Sequence, residues 1–133
     1  MISPVPITVY ADNSVYGGIF DPGIDRPSQE FFLQVRQGRF DLVTSNVVED
    51  ELALAPERVR RQYEDFLPVS RLVVPSGQAI ALQEAYLQAA IVTERWATDA
   101  LHVALASVHR CKIIVSWNFR PIVHFDKIPL YNA

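Results

Sequence analysis

Ile7-Thr8-Val9-Tyr10-Ala11-Asp12-Asn13-Ser14 is a β-branched, apolar run that ends abruptly in three polar residues. It reads as a buried strand carrying polar groups at its C-terminal end. Three more runs of this kind follow: Leu42-Val43-Thr44, Leu72-Val73-Val74 and Lys112-Ile113-Ile114-Val115-Ser116, the last delivering Trp117 and Asn118 at its end. Ile128-Pro129-Leu130 reads as a last short strand. Helical patterns separate them. One begins near Ser28, carries Phe31, Phe32 and Val35 on one side, and stops at Gly38. A second starts at Ser45-Asn46, where Asn46 and Glu49 approximate a capping box, and closes at Pro56. Glu57 to Phe66 is amphipathic, with Val59, Tyr63 and Phe66 inward, and Ala79 to Ile91 packs through Ile80, Tyr86, Leu87 and Ile91. Strands alternating with helices predict an α/β fold with a parallel sheet covered on both faces. In such sheets ligands collect at the C-terminal ends of the strands.

Bulk composition fits that reading. The 133 residues are 50% hydrophobic and 20% charged, which suits one compact domain over 1–133. One cysteine, Cys111, excludes an internal disulfide framework and a cysteine-based metal site. Met1 to Pro6 lacks a basic region followed by a long apolar run, and no segment is apolar enough to span a bilayer. A reducing, cytoplasmic setting and no membrane association are therefore expected. The net charge of −3 argues against holding nucleic acid by bulk charge alone. It is compatible with an acidic site whose metal ions reverse the local charge.

The candidate site residues are acids near the predicted strand ends. Asp12 ends the first strand. Glu51 falls within the apolar stripe of Val48, Leu52 and Ala55, whereas Glu49 and Asp50 point away from it. A carboxylate on a buried face needs a partner, a proton or a metal; the ordinary readings are an arginine partner such as Arg58 or a place merely at the stripe's edge. Asp99 follows Thr98, a predicted helix cap, at the start of the apolar helix Thr98-Asp99-Ala100-Leu101-His102-Val103-Ala104-Leu105-Ala106. A lone Asp there is ordinarily a helix-start residue, and His102 among apolar neighbours is ordinarily a satisfied core residue. Arg58, Arg60 and Arg61 read as a solvated face. Yet Asp12, Glu51, Asp99 and Asn118 would all converge on one edge of the sheet. Clustered carboxylates repel unless a cation lies between them, and Mg²⁺ or Mn²⁺ prefers such oxygen ligands. The chemistry pointed to is metal-assisted phosphodiester hydrolysis.

Four blocks carry a family resemblance: Tyr10 to Val15, Thr44-Ser45 through Glu51-Leu52, Thr98 to Ala106, and Ile114 to Phe119. In order and separation they resemble the PIN domain, and within it the VapC-like toxins of bacterial type II toxin–antitoxin pairs. The resemblance implies a PIN-like three-layer α/β/α sandwich and metal-dependent cleavage of RNA with Mg²⁺ or Mn²⁺. It implies that Asp12, Glu51 and Asp99 are the metal-site acids and that Ser14 supports them by hydrogen bonding. Asn118 stands where many members carry a fourth acid; its carbonyl can still ligate, but it brings no charge. Asp126 lies nearby in sequence. Arg120 and Lys127 are candidate contacts to backbone phosphates. The implied partners are an RNA substrate, a cognate antitoxin protein and a second copy of the chain in a homodimer.

The favoured reading is thus a metal-dependent endoribonuclease toxin. Two others stay open: a PIN-like binding protein whose site has decayed at Asn118, and a metal-dependent nuclease acting on single-stranded DNA. An intact Asp12, Glu51 and Asp99 argues against decay, because buried like charges with no role are costly.

Overall fold

The structure, a computed structural model, describes residues 5–88 and 97–117; for Ala97 and Asp99 the description stops at the helical backbone. The described elements run in the order β1 (Ile7–Ala11), α1 (Asn13–Gly18), α2 (Asp25–Arg36), β2 (Phe40–Ser45), α3 (Asn46–Leu52), α4 (Glu57–Phe66), a 3₁₀ turn (Leu67–Val69), β3 (Ser70–Val73), α5 (Gly77–Gln88), α6 (Ala97–Val108) and β4 (Ile113–Val115).

All strand pairings are parallel, in the order β3-β2-β1-β4. Tyr10 lies opposite Val43 on one side and Ile114 on the other. From β1 to β3 the sheet grows in one direction; α5 and α6 then carry the chain back across it to β4. Right-handed crossovers in opposite directions place their helices on opposite faces. Helices α1–α4 therefore form one layer and α5–α6 the other, an α/β/α sandwich, as expected from the sequence. The direction changes between β1 and β4, and the C-terminal ends of those two strands flank the resulting crevice.

The core explains the arrangement. Val9, Tyr10 and Ala11 are fully buried, as a central strand covered on both faces must be. On one side Tyr16, Phe31, Phe32, Tyr63 and Phe66 interlock in tilted and edge-on ring contacts. These include every inward residue predicted for α2 and α4, with Val35 and Val59. On the other side α6 is apolar nearly all round because it is enclosed. Leu105 and Ala106 join the main core, while Ala100, Val103 and Ala104 pack with Tyr86 of α5. Gly38 adopts φ 77°, just past the end of α2, the left-handed conformation that glycine supplies without penalty.

Several local expectations are corrected. Ser45, not Asn46, caps α3: its Oγ accepts the Val48 N–H at 3.3 Å, and Asn46 is already helical. Pro56 precedes α4 instead of closing α3, which ends at Leu52. Thr98 lies inside α6 instead of capping it. Ile80 is exposed, because Ala79 takes the buried position at the start of α5. Helix α1 was not foreseen. Its six residues are too few to show a period, and Asp12, read as a strand-end acid and metal-site candidate, is its N-cap. The predicted strand at Ile128–Leu130 and the packing residue Ile91 lie outside the described residues.

One close approach couples the helical layer to the end of β4. A Cβ built on Gly18 would stand 2.3 Å from Ser28 Oγ and 2.9 Å from the Trp117 indole. Ser28 Oγ is itself tied to the Ile24 carbonyl at 2.6 Å, and the ring is bulky, so neither yields freely. Gly18→Ala is expected to destabilise the fold by about 1–3 kcal/mol through overpacking, read as a lowered urea midpoint at unchanged m-value.

Candidate active site

Asp12 follows the last residue of β1, and its backbone N–H still pairs with the Val115 carbonyl at 3.2 Å. Its side chain turns back to cap α1 and is only 6% exposed. Oδ1 accepts the Ser14 N–H at 3.0 Å and the Ser14 hydroxyl at 2.6 Å; Oδ2 accepts the Ser116 hydroxyl at 2.5 Å. Ser14 Oγ in turn accepts the Trp117 N–H at 2.8 Å. Ser14 thus hydrogen-bonds Asp12 twice and also ties α1 to the residue after Ser116. Burial pushes the Asp12 carboxyl above its ordinary range, opposed by the hydroxyls of Ser116 and Ser14 and by the nearby His102. Among the described residues Asp12 has no ion-pair partner.

Strand periodicity puts Tyr10 and Asp12 on the same side of β1, and Tyr10 begins a second network. Its hydroxyl lies 2.8 Å from Ser45 Oγ and 2.5 Å from His102 Nδ1; His102 Nε2 lies 2.5 Å from Glu51 Oε1. An ionised carboxylate only accepts, so Nε2–H donates to Glu51. With a neutral ring, Nδ1 then accepts the Tyr10 O–H, Tyr10 accepts the Ser45 O–H, and Ser45 accepts the Val48 N–H. Burial, with Glu51 and Asp12 charge adding to it, drives the Tyr10 phenol far above its ordinary value, so it remains a neutral hydroxyl.

Glu51 is thus paired, but with His102 and not with Arg58, whose guanidinium lies over the Phe20 ring. Its side chain is 28% exposed, at the edge of the apolar stripe, the other ordinary reading of its position. His102, 4% exposed, is the satisfied core histidine expected, yet it also interacts with both acids. Asp99 lies three residues before His102 in the first turn of α6; its side chain is outside the described residues. Asn118, Arg120, Asp126 and Lys127 also lie outside them. His102, Tyr10, Ser45 and Ser116 were missed as site residues. The signals available were the i, i+3 spacing of Asp99 and His102 and the position of Ser116 at a strand end.

The donor chemistry suits a hard divalent cation. Asp12 and Glu51 supply oxygen, and each has hydrogen-bond partners that orient it. Both His102 nitrogens are already committed. Among the described residues no three His, Cys, Asp or Glu side chains form a metal-holding group.

No family model matches the chain, and no curated protein matches it. Several solved structures are similar to it. One is VapBC2 from Rickettsia felis, bound to a DNA fragment from their promoter, with a TM-score of 0.63 at 14% identity over 92% of this chain and 94% of that one. Another is FitAcB from Neisseria gonorrhoeae, with a TM-score of 0.62 at 14% identity over 89% and 93%. The fold is PIN-like. At this identity the likeness speaks for the fold alone. No helix among the described residues is long and apolar enough to cross a membrane.

The PIN-like sandwich holds Asp12 at a cost that pH should reveal. A carboxyl whose folded pKa lies above its unfolded value favours folding below the unfolded value, and that contribution is lost as pH rises through the folded one. In EDTA, Asp12→Asn is expected to melt above the wild type at pH 7. The gap should close toward pH 3. Thermal melts across that range check it.

Proposed function

We propose that this protein is a metal-dependent endoribonuclease, the toxin of a toxin–antitoxin pair. The observation that carries the reading is the buried Asp12 carboxylate. It has three hydrogen-bond donors and no cationic partner among the described residues, and it shares His102 and Tyr10 as neighbours with Glu51. Buried charges are ordinarily paired or coordinate metals. The family resemblance and the likeness to VapBC2 and FitAcB support the same reading.

Asp12, Glu51 and Asp99 would hold Mg²⁺ or Mn²⁺. Such an ion helps a water to ionise and offsets charge at the scissile phosphodiester. The protein's own part is orientation. Ser14 and Ser116 fix the Asp12 carboxylate, and His102 fixes Glu51. Burial keeps the Tyr10 phenol protonated, so it holds the His102 ring without competing for the cation. Arg120 and Lys127 are proposed to steady the RNA backbone, and Asn118 to supply a neutral oxygen in place of a fourth acid. A cognate antitoxin and a second copy of the chain are the proposed protein partners.

The test is cleavage of a mixed RNA pool by antitoxin-free protein with Mg²⁺ or Mn²⁺, and with EDTA. Cleavage should require metal and fall at least about a hundredfold in Asp12→Asn and Asp99→Asn, beyond the usual loss of an outer-shell partner. Folded protein that cuts neither RNA nor single-stranded DNA overturns the nuclease reading. Cleavage of DNA alone would reassign the substrate.

A further inference from the structure

We infer that His102 is a positioning residue that biases Glu51 toward coordination through one oxygen and so tunes which cation the site accepts. The inference rests on the metal-dependent reading above and deepens it. Glu51 Oε1 is engaged by the His102 Nε2–H at 2.5 Å, and His102 is its hydrogen-bond partner among the described residues. The ring cannot turn away, because Nδ1 is held by Tyr10, and Tyr10 by Ser45. Tyr10 and Ser45 are fully buried, and their strands pair directly. This chain of contacts fixes the ring orientation, leaving Oε2 as the Glu51 oxygen with both lone pairs open to a ligand among the described residues.

Asp12 is restricted in a parallel way. Oδ1 already accepts two hydrogen bonds, which fill its in-plane lone pairs, while Oδ2 accepts one from Ser116. Both described acids therefore favour one-oxygen coordination. Mg²⁺ and Mn²⁺ suit an octahedral set of single oxygens, whereas Ca²⁺ is larger and readily takes both oxygens of a carboxylate. Releasing Oε1 should let Glu51 bind through both oxygens and erode discrimination against Ca²⁺.

The test measures Mn²⁺ binding to the full chain by EPR, directly and in competition with Ca²⁺, for the wild type, His102→Gln and His102→Asn. Glutamine carries its amide nitrogen where imidazole Nε2 lies and can still donate to Glu51. Asparagine reaches only the Nδ1 position, facing Tyr10. Gln is expected to keep Mn²⁺ affinity near the wild-type value, while Asn loses about 10–100-fold, the usual cost of an outer-shell partner. The ratio of Mn²⁺ to Ca²⁺ affinity should fall in Asn alone. Equal ratios in all three proteins, or equal losses in Gln and Asn, overturn the assignment while leaving the nuclease reading intact. Wild-type protein that binds no Mn²⁺ overturns both. Should the Asn variant fail to fold, Tyr10→Phe carries the same test. It removes the proton donor that fixes the ring, so its Mn²⁺-to-Ca²⁺ ratio should fall, and an unchanged ratio overturns the assignment.

Discussion

A carboxylate buried at the end of the central strand must be given hydrogen-bond donors, and much of the fold's local geometry around β1 follows from how Asp12 gets them. The donors come from separate elements: Ser14 from α1 and Ser116 from the residue after β4. Hydrogen bonds to a charged group are worth roughly 1.5–3 kcal/mol each, so losing one leaves much of the charge uncompensated. Ser14 has a second duty, accepting the Trp117 N–H, and Trp117 presses on Gly18 at the far end of the same helix. The short α1 is therefore clamped at both ends to the residues that leave β4. This is the crevice between β1 and β4, where the sheet changes direction, so topology and the demands of one acid coincide.

The second network solves a different problem on the other side of Tyr10. Helix α6 is enclosed, and a polar side chain on it is tolerable only where partners wait. His102 finds one for each ring nitrogen: a phenol rooted in β1 and a carboxylate at the end of α3. Ser45 joins both tasks. Its hydroxyl caps α3, the helix that carries Glu51, and also supports Tyr10. Changing any one of these four groups therefore disturbs helix capping, strand packing and acid orientation together.

Much of this was legible in the sequence, and the failures have physical causes. Periodicity identified α2 and α4 and their buried residues, because aromatic and branched side chains recur there at helical spacing over ten or more residues. It missed α1, whose identity lies in an Asp cap and not in a pattern. It placed Glu51 on a buried stripe but gave it the wrong partner, since the nearest arginines in sequence, on α4, turn elsewhere. His102 lies fifty-one residues away, and nothing local announces such a pairing. The serines were hardest to foresee. Ser45 and Ser116 are ordinary residues at strand ends, and only the parallel register brings them to Tyr10 and Asp12.

The disposition of the cations sharpens the electrostatics of the crevice. Arg61 pairs with Glu57, Arg60 donates to the Ala53 carbonyl, and Arg36 and Arg58 lie over the Phe66 and Phe20 rings. None of these guanidiniums compensates Asp12 or Glu51. Asp12 is instead held by neutral hydroxyls and an amide, which stabilise its charge without cancelling it, and Glu51 by His102. Among the described residues, therefore, these two acids leave the crevice negative, in a chain that is itself acidic overall. Such a field attracts a divalent cation and repels a polyanion. On the function proposed above, a phosphodiester would meet repulsion from these acids until a cation lay between them, so the hydrogen bonds that keep both acids in place would also make substrate binding conditional on metal.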